Sequence, residues 1–167
     1  AKIKAINTAI EPSVVALSRH PDPNVRMKAI VLLARSKSEA ASGAIARAVT
    51  DSSDSVQRVA LSSIGTSNER HPDPGAVAAA SKVMRSHESW AMRVLAAQAL
   101  GRLGGPDATK QLKDAATKEP YALVREAALV ALASYDKNEA AALASQMAVH
   151  DAEPRVRETA AKIRNAR

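Results

Sequence analysis

The stretch Val124-Arg125-Glu126-Ala127-Ala128-Leu129-Val130-Ala131-Leu132 decides the fold because it does not stand alone. Four further copies of its pattern run through the chain: VRMKAIVLL from Val25, VQRVALSSI from Val56, MRVLAAQAL from Met92 and VRETAAKIR from Val156. Successive anchor residues are 31, 36, 32 and 32 residues apart. A fixed period of this length is the sequence mark of stacked supersecondary units, each too small to bury its own apolar face.

Within each copy the fifth residue is alanine (Ala29, Ala60, Ala96, Ala128, Ala160), and in four the ninth is apolar (Leu33, Ile64, Leu100, Leu132). Positions four apart share one face of a helix, and a small central residue lets a neighbouring helix pack close. In the fifth copy the ninth residue is Arg164, which marks a terminal, capping helix with one face in water. Eighteen residues before the anchors stand Asn7, Ser38, Pro74, Pro106 and Asn138. These residue types favour helix starts, as N-caps or as first-turn prolines.

Each repeat is therefore a first helix, a turn and a second helix. The spacing predicts first helices over 12–19, 39–49, 74–86, 106–117 and 139–149, and second helices over 23–36, 54–66, 89–103, 121–134 and 154–165. The 36-residue interval makes the loop around 65–70 the longest. Pro12 is expected to open the first helix, leaving residues 1–10 as a separate turn or the remnant of an earlier helix in a longer array. The architecture expected is all-α: a right-handed α-α superhelix, or solenoid, of about five helical hairpins. It forms a single domain over 1–167, with repeats at 7–37, 38–68, 74–104, 106–136 and 138–167.

The polar turn followed by V-R-x-x-A-x-x-x-L resembles the HEAT-like repeats of phycobilin lyases and many bacterial helical-repeat proteins. The match is carried by Asp22-Pro23-Asn24-Val25-Arg26 with Ala29 and Leu33, by Val124-Arg125 with Ala128 and Leu132, and by Val156-Arg157 with Ala160. The resemblance covers nearly the whole chain and implies the fold. It implies no one function, since this scaffold serves many.

Composition bounds the chemistry. At 167 residues, with 46% hydrophobic but only 2% aromatic residues and no Cys, the chain suits an alanine-rich helical core and excludes disulfides, thiolate metal sites and a Cys nucleophile. No run of about 18 apolar residues is present to cross a bilayer. A soluble, cytoplasmic protein is the expectation, although the residues do not fix the compartment. The net charge of +7 is uneven: residues 1–37 carry seven Lys or Arg against Glu11 and Asp22. That basic first repeat, with Lys2, Lys4, Arg19, Arg26, Lys28, Arg35 and Lys37, makes nucleic-acid binding the alternative function.

Arg26, Arg93, Arg125 and Arg157 directly follow their anchors, with Gln57 the exception. The ladder could track phosphates. The reading preferred here is structural, with each guanidinium holding an acidic turn residue of its own or a neighbouring repeat, such as Asp51, Asp54, Glu119, Asp151 or Glu153.

Five residues before the anchors stand His20, Asp51, His87, Glu119 and Asp151, a row of metal-ligand types. Helices pack roughly 8–10 Å apart, too far for neighbouring rungs to share one ion, so helix-end chemistry is expected instead. Some proteins of similar repeat pattern are metal-dependent hydroxylases with His-Glu pairs inside the second helices. Here those positions hold Met27-Lys28, Arg58-Val59, Val94-Leu95, Glu126-Ala127 and Glu158-Thr159. The string His-Pro-Asp-Pro occurs twice, from His20 and from His71, and reads as helix-start punctuation. Gly101, Gly104 and Gly105 read as glycines closing a helix. No catalytic residue, metal ligand or cofactor is assigned.

The function expected is a non-catalytic scaffold that binds another protein or a peptide along the second helices. The outward row Met27, Val31, Arg58, Val94, Gln98, Val130 and Lys162 would line a concave face. Trp90 and Tyr121, in turns, are candidate aromatic anchors or lids over the alanine core. A lyase handling a bilin-like chromophore follows from the resemblance alone.

Overall fold

A computed structural model describes residues 2–66 and 74–166, with side chains over 9–66 and 75–166. Among the described residues there are ten helices and no strand. Backbone packing divides them into two compact units, Ala1–His71 and Pro72–Arg167.

The first unit holds two hairpins: α1 (Lys2–Leu17) with α2 (Pro23–Leu33), and α3 (Glu39–Ala48) with α4 (Asp54–Ser63). The local grammar reads as expected at two starts. Asp22 caps α2 by accepting from the Asn24 N–H at 2.8 Å, and Ser38 caps α3 by accepting from the Ala41 N–H at 3.0 Å. The second helices α2 and α4 pack on each other, as do the first helices α1 and α3.

One expectation fails here. The helix does not begin at Pro12: α1 runs from Lys2 straight through it, so Asn7 lies inside a helix rather than at its cap. Proline fixes φ in the helical range, and its cost is one missing hydrogen bond and a crowded carbonyl one turn back. Packing against α2 and α3 offsets that cost. Glu11 adds a polar clasp, accepting from the hydroxyls of Ser36 and Ser38, which hold its carboxyl below the usual glutamate range.

The second unit holds three hairpins: α5 (Pro74–Ser86) with α6 (Trp90–Leu103), α7 (Pro106–Lys118) with α8 (Ala122–Ala133), and α9 (Lys137–His150) with α10 (Pro154–Asn165). Second helices pack in the order α6, α8, α10, so α8 has a second-helix neighbour on both sides. Asp136, not Asn138, caps α9, accepting from the Glu139 N–H at 3.1 Å. The Asp immediately before the helix wins because its carboxylate reaches the free N–H, while Asn138 already lies within α9.

Gly101 is not a closing glycine. It lies inside α6, where a Cβ would stand 2.9 Å from both Cβ and the carbonyl oxygen of Ala131 on α8. Gly104, with φ of 67°, ends α6. The core stripe is as the repeat dictates: the five central alanines are at most 2% exposed, and Leu33, Leu100 and Leu132 are buried with them. Arg164 is exposed. The second His-Pro-Asp-Pro string, at residues 71–74, falls on positions whose side chains lie outside the described residues.

Candidate functional site

The turns before the second helices share one set of bonds. The side chain five residues before the anchor accepts the N–H two residues on: Asp22 to His20 Nδ1 at 3.0 Å, Ser53 to Asp51 at 2.9 Å, Ser89 to His87 Nδ1 at 3.1 Å and Glu153 to Asp151 at 2.9 Å. His20 and His87 thus act as acceptors that shape a turn. Among the described residues, no group of three or more ligand-type side chains is close enough to hold a metal ion.

The arginine after each anchor reads the same turns twice. Nη1 of Arg26 donates to the carbonyls of His20 and Pro21 in its own turn, at 2.9 and 2.7 Å. That fixes the guanidinium plane, and Nε and Nη2 then donate forward to Asp51 of the next repeat at 2.8 and 2.7 Å. Arg125 repeats the arrangement, with Nη1 on the carbonyls of Glu119 and Pro120 and with Nε and Nη2 on Asp151 at 2.8 and 2.7 Å. Two-pronged pairs of this kind are the strong form of an ion pair. The arginine hydrogen bonds hold both Asp51 and Asp151 below the usual aspartate range, against the opposing pull of burial.

Arg93 keeps the backward bond, to the His87 carbonyl at 2.7 Å, but its forward pair is looser, with Nε 3.4 Å from Glu119 Oε1. Its Nε and the second oxygen of Glu119 are buried without a hydrogen-bond partner. Glu has one more methylene than Asp, so the carboxylate overshoots the fork. The Tyr121 ring lies under the guanidinium instead, 4.9 Å from centroid to Cζ. In the second repeat Gln57 donates backward to the Asp51 carbonyl, matching the missing charge at that position.

The outward row falls on several surroundings. In the second unit, Val130 is 48% exposed, Gln98 is exposed and Val94 is half-buried. Leu123 on α8, 37% exposed, belongs to the same face and the sequence reading missed it. It lies three residues before Glu126, one helical turn from the row, so the i, i+3 spacing was the available signal. Lys162 on α10 is exposed and paired with Glu158. Glu126 on α8 accepts from Arg155 and Thr159, both at 2.7 Å, so the row becomes polar toward α10.

In the first unit, Met27 is half-buried while Val31 and Arg58 are exposed. Trp90 opens α6 and Tyr121 sits at the N-cap of α8, 43% and 49% exposed. Of the basic first repeat, Arg19, Lys28, Arg35 and Lys37 are exposed, and Arg26 is engaged by Asp51. The side chains of Lys2 and Lys4 lie outside the described residues.

The paired helices, the central alanines and the arginine-to-turn bonds recur in register, and the family model described as HEAT repeats matches residues 41–133. The chain belongs to the HEAT repeat family. No curated protein sequence matches it. Among solved structures, this HEAT-repeat chain is similar to one in the complex of CpcE and CpcF of phycocyanin lyase from Nostoc sp. PCC7120. The likeness has a TM-score of 0.68 at 19% identity, covering 94% of this chain and 99% of that one. At that identity the likeness establishes the fold. Among the described residues, no helix is long and apolar enough to cross a membrane.

Proposed function

We propose that this HEAT-repeat chain is a non-catalytic scaffold whose second unit binds a segment of another protein along the outward face of α6 and α8. The carrying observation is the apolar strip of Val94, Leu95, Leu123, Ala127 and Val130, partly or largely in solvent on two adjacent helices. It borders the charged surface of α10, where Arg155 and Lys162 are exposed. An apolar centre with a polar rim is the ordinary anatomy of a protein interface. The solved relative supports the reading in kind, since CpcE and CpcF are found in a complex with each other.

The test is a photo-crosslinking amino acid in place of Val130, with a control at the exposed Ser145 on α9. An adduct with a protein at Val130 and none at Ser145 is the expected result. The double variant Val94→Asp with Val130→Asp should abolish capture while leaving the melting temperature unchanged. Equal capture by that variant moves the site elsewhere. A coloured, chromophore-loaded chain after mixing with a free bilin would overturn the non-catalytic reading.

A further inference from the structure

Two aromatic rings stand at the same end of two neighbouring helices inside the second unit. Trp90 opens α6, Tyr121 holds the N-cap of α8, and α6 packs on α8. Both rings are exposed. No other copy of the repeat has an aromatic residue at either position, so the fold itself does not call for them. Arg93 backs the Tyr121 ring and is itself engaged by the His87 carbonyl and by Glu119, so it adds no free charge.

We infer that this end of α6 and α8 receives an extended, proline-rich segment of another protein, with one turn of the segment stacked on Trp90 and the next on Tyr121. The inference rests on α6 and α8 being the binding face and names the chemical class of its partner. A polyproline helix advances about 9 Å per three-residue turn. Packed helices lie roughly 8–10 Å apart, so prolines one turn apart can meet both rings. The hydrogen-bonding character of the surface selects the same ligand. Among the described residues, the Trp90 indole N–H and the Tyr121 hydroxyl have no hydrogen-bond partner, and both can donate. Gln98, exposed on α6, adds amide N–H donors. Glu126 is the one carboxylate on the outward rows of these helices, and its oxygens are taken by Arg155 and Thr159. Such a surface satisfies carbonyl groups and has no free carboxylate for the N–H groups of an ordinary backbone, whose burial without a partner is costly. Proline brings a carbonyl and no N–H. A neutral surface with free donors thus matches a neutral segment with free acceptors.

Trp90 is the chain's one tryptophan, so its indole N–H gives a single signal in the 15N NMR spectrum of the full chain. A decaproline peptide is the probe, and a glycine-serine peptide of the same length is the control. Decaproline is expected to shift the indole signal saturably, and Tyr121→Ala to weaken its binding on the order of tenfold. Tyr121→Phe, which keeps the ring and removes the donor, should fall between the parent and Tyr121→Ala, and it keeps the test readable if the Ala variant loses its helical circular dichroism. An unmoved indole signal at millimolar decaproline overturns the inference. So does an equal shift with the glycine-serine peptide, or binding undiminished in a folded Tyr121→Ala variant. The crosslink at Val130 tells this failure from failure of the binding face. An adduct there to a segment without proline, with the indole signal unmoved by decaproline, overturns the proline-rich partner and leaves the face standing. The absence of both the adduct and the shift removes both.

Discussion

The two compact units use one repeat with different effect. In the first, each second helix has a single second-helix neighbour within its unit, whereas in the second unit α8 is held between α6 and α10. At matched register Val124 and Ala131 on α8 are 0% and 6% exposed, while Val25 on α2 is half-buried and Leu32 is 58% exposed. Hairpin turns differ too, with three residues between the paired helices in the second unit (87–89, 119–121, 151–153) and five in the first (18–22, 49–53). The lesson is that burial in a repeat protein comes from neighbours more than from the repeat's own sequence.

The largest effect that tests this contrast is Leu129→Ala at the centre of α8, which should cost about 2–5 kcal/mol, near the top of that range because both sides are packed. Leu61→Ala in α4 should fall nearer the bottom. Thermal melts and residue-level hydrogen exchange decide, and an equal loss at both sites removes the flanking argument. Next comes Gly101→Ala, which forces a Cβ against the Ala131 backbone and should cost about 1–3 kcal/mol by overpacking. On α2, which packs on α4 as α6 packs on α8, the equivalent position is already Ala34.

The forked pairs should instead make the units alike. Asp51→Asn and Asp151→Asn are expected to cost about 1–2 kcal/mol each, below a fully buried charge-assisted bond because both pairs touch solvent. Their folded pKa values are depressed from about 3.8, so this stabilisation is present above that value and lost as pH falls through the lowered one. Denaturant titrations at stepped pH should show both variants losing less stability than the parent in acid. A parallel fall would remove the pairs from the account. The smallest effect belongs to Glu119→Gln, under about 1 kcal/mol, since Arg93 keeps the His87 carbonyl and the Tyr121 ring.

The fold was legible because the repeat states it five times, and errors at single positions do not accumulate. Caps at Asp22 and Ser38 were readable from residue type alone. The path of α1 through Pro12 was not, because tertiary packing outweighed a local breaker. Asn138 looked like a cap in phase with Ser38, yet Asp136 stands where the free N–H groups are. The candidate binding face was half legible. Val130 follows from periodicity, but the tie of Glu126 to Arg155 and Thr159, which limits the strip, depends on side chains thirty residues away.

The arginine fork also has a direction. The turn at 119–121 shows both ends of the device: Glu119 receives Arg93 from the repeat behind, and Arg125 reaches Asp151 in the repeat ahead. Donor and acceptor thus leave a repeat on opposite sides. Excising residues 105–136 would bring Arg93 up to Asp151, a joint chemically equivalent to those at Arg26 and Arg125. A gene encoding such a chain can lose the fourth period and still present a matched pair at the new seam, whereas loss of the second would set Arg26 against His87.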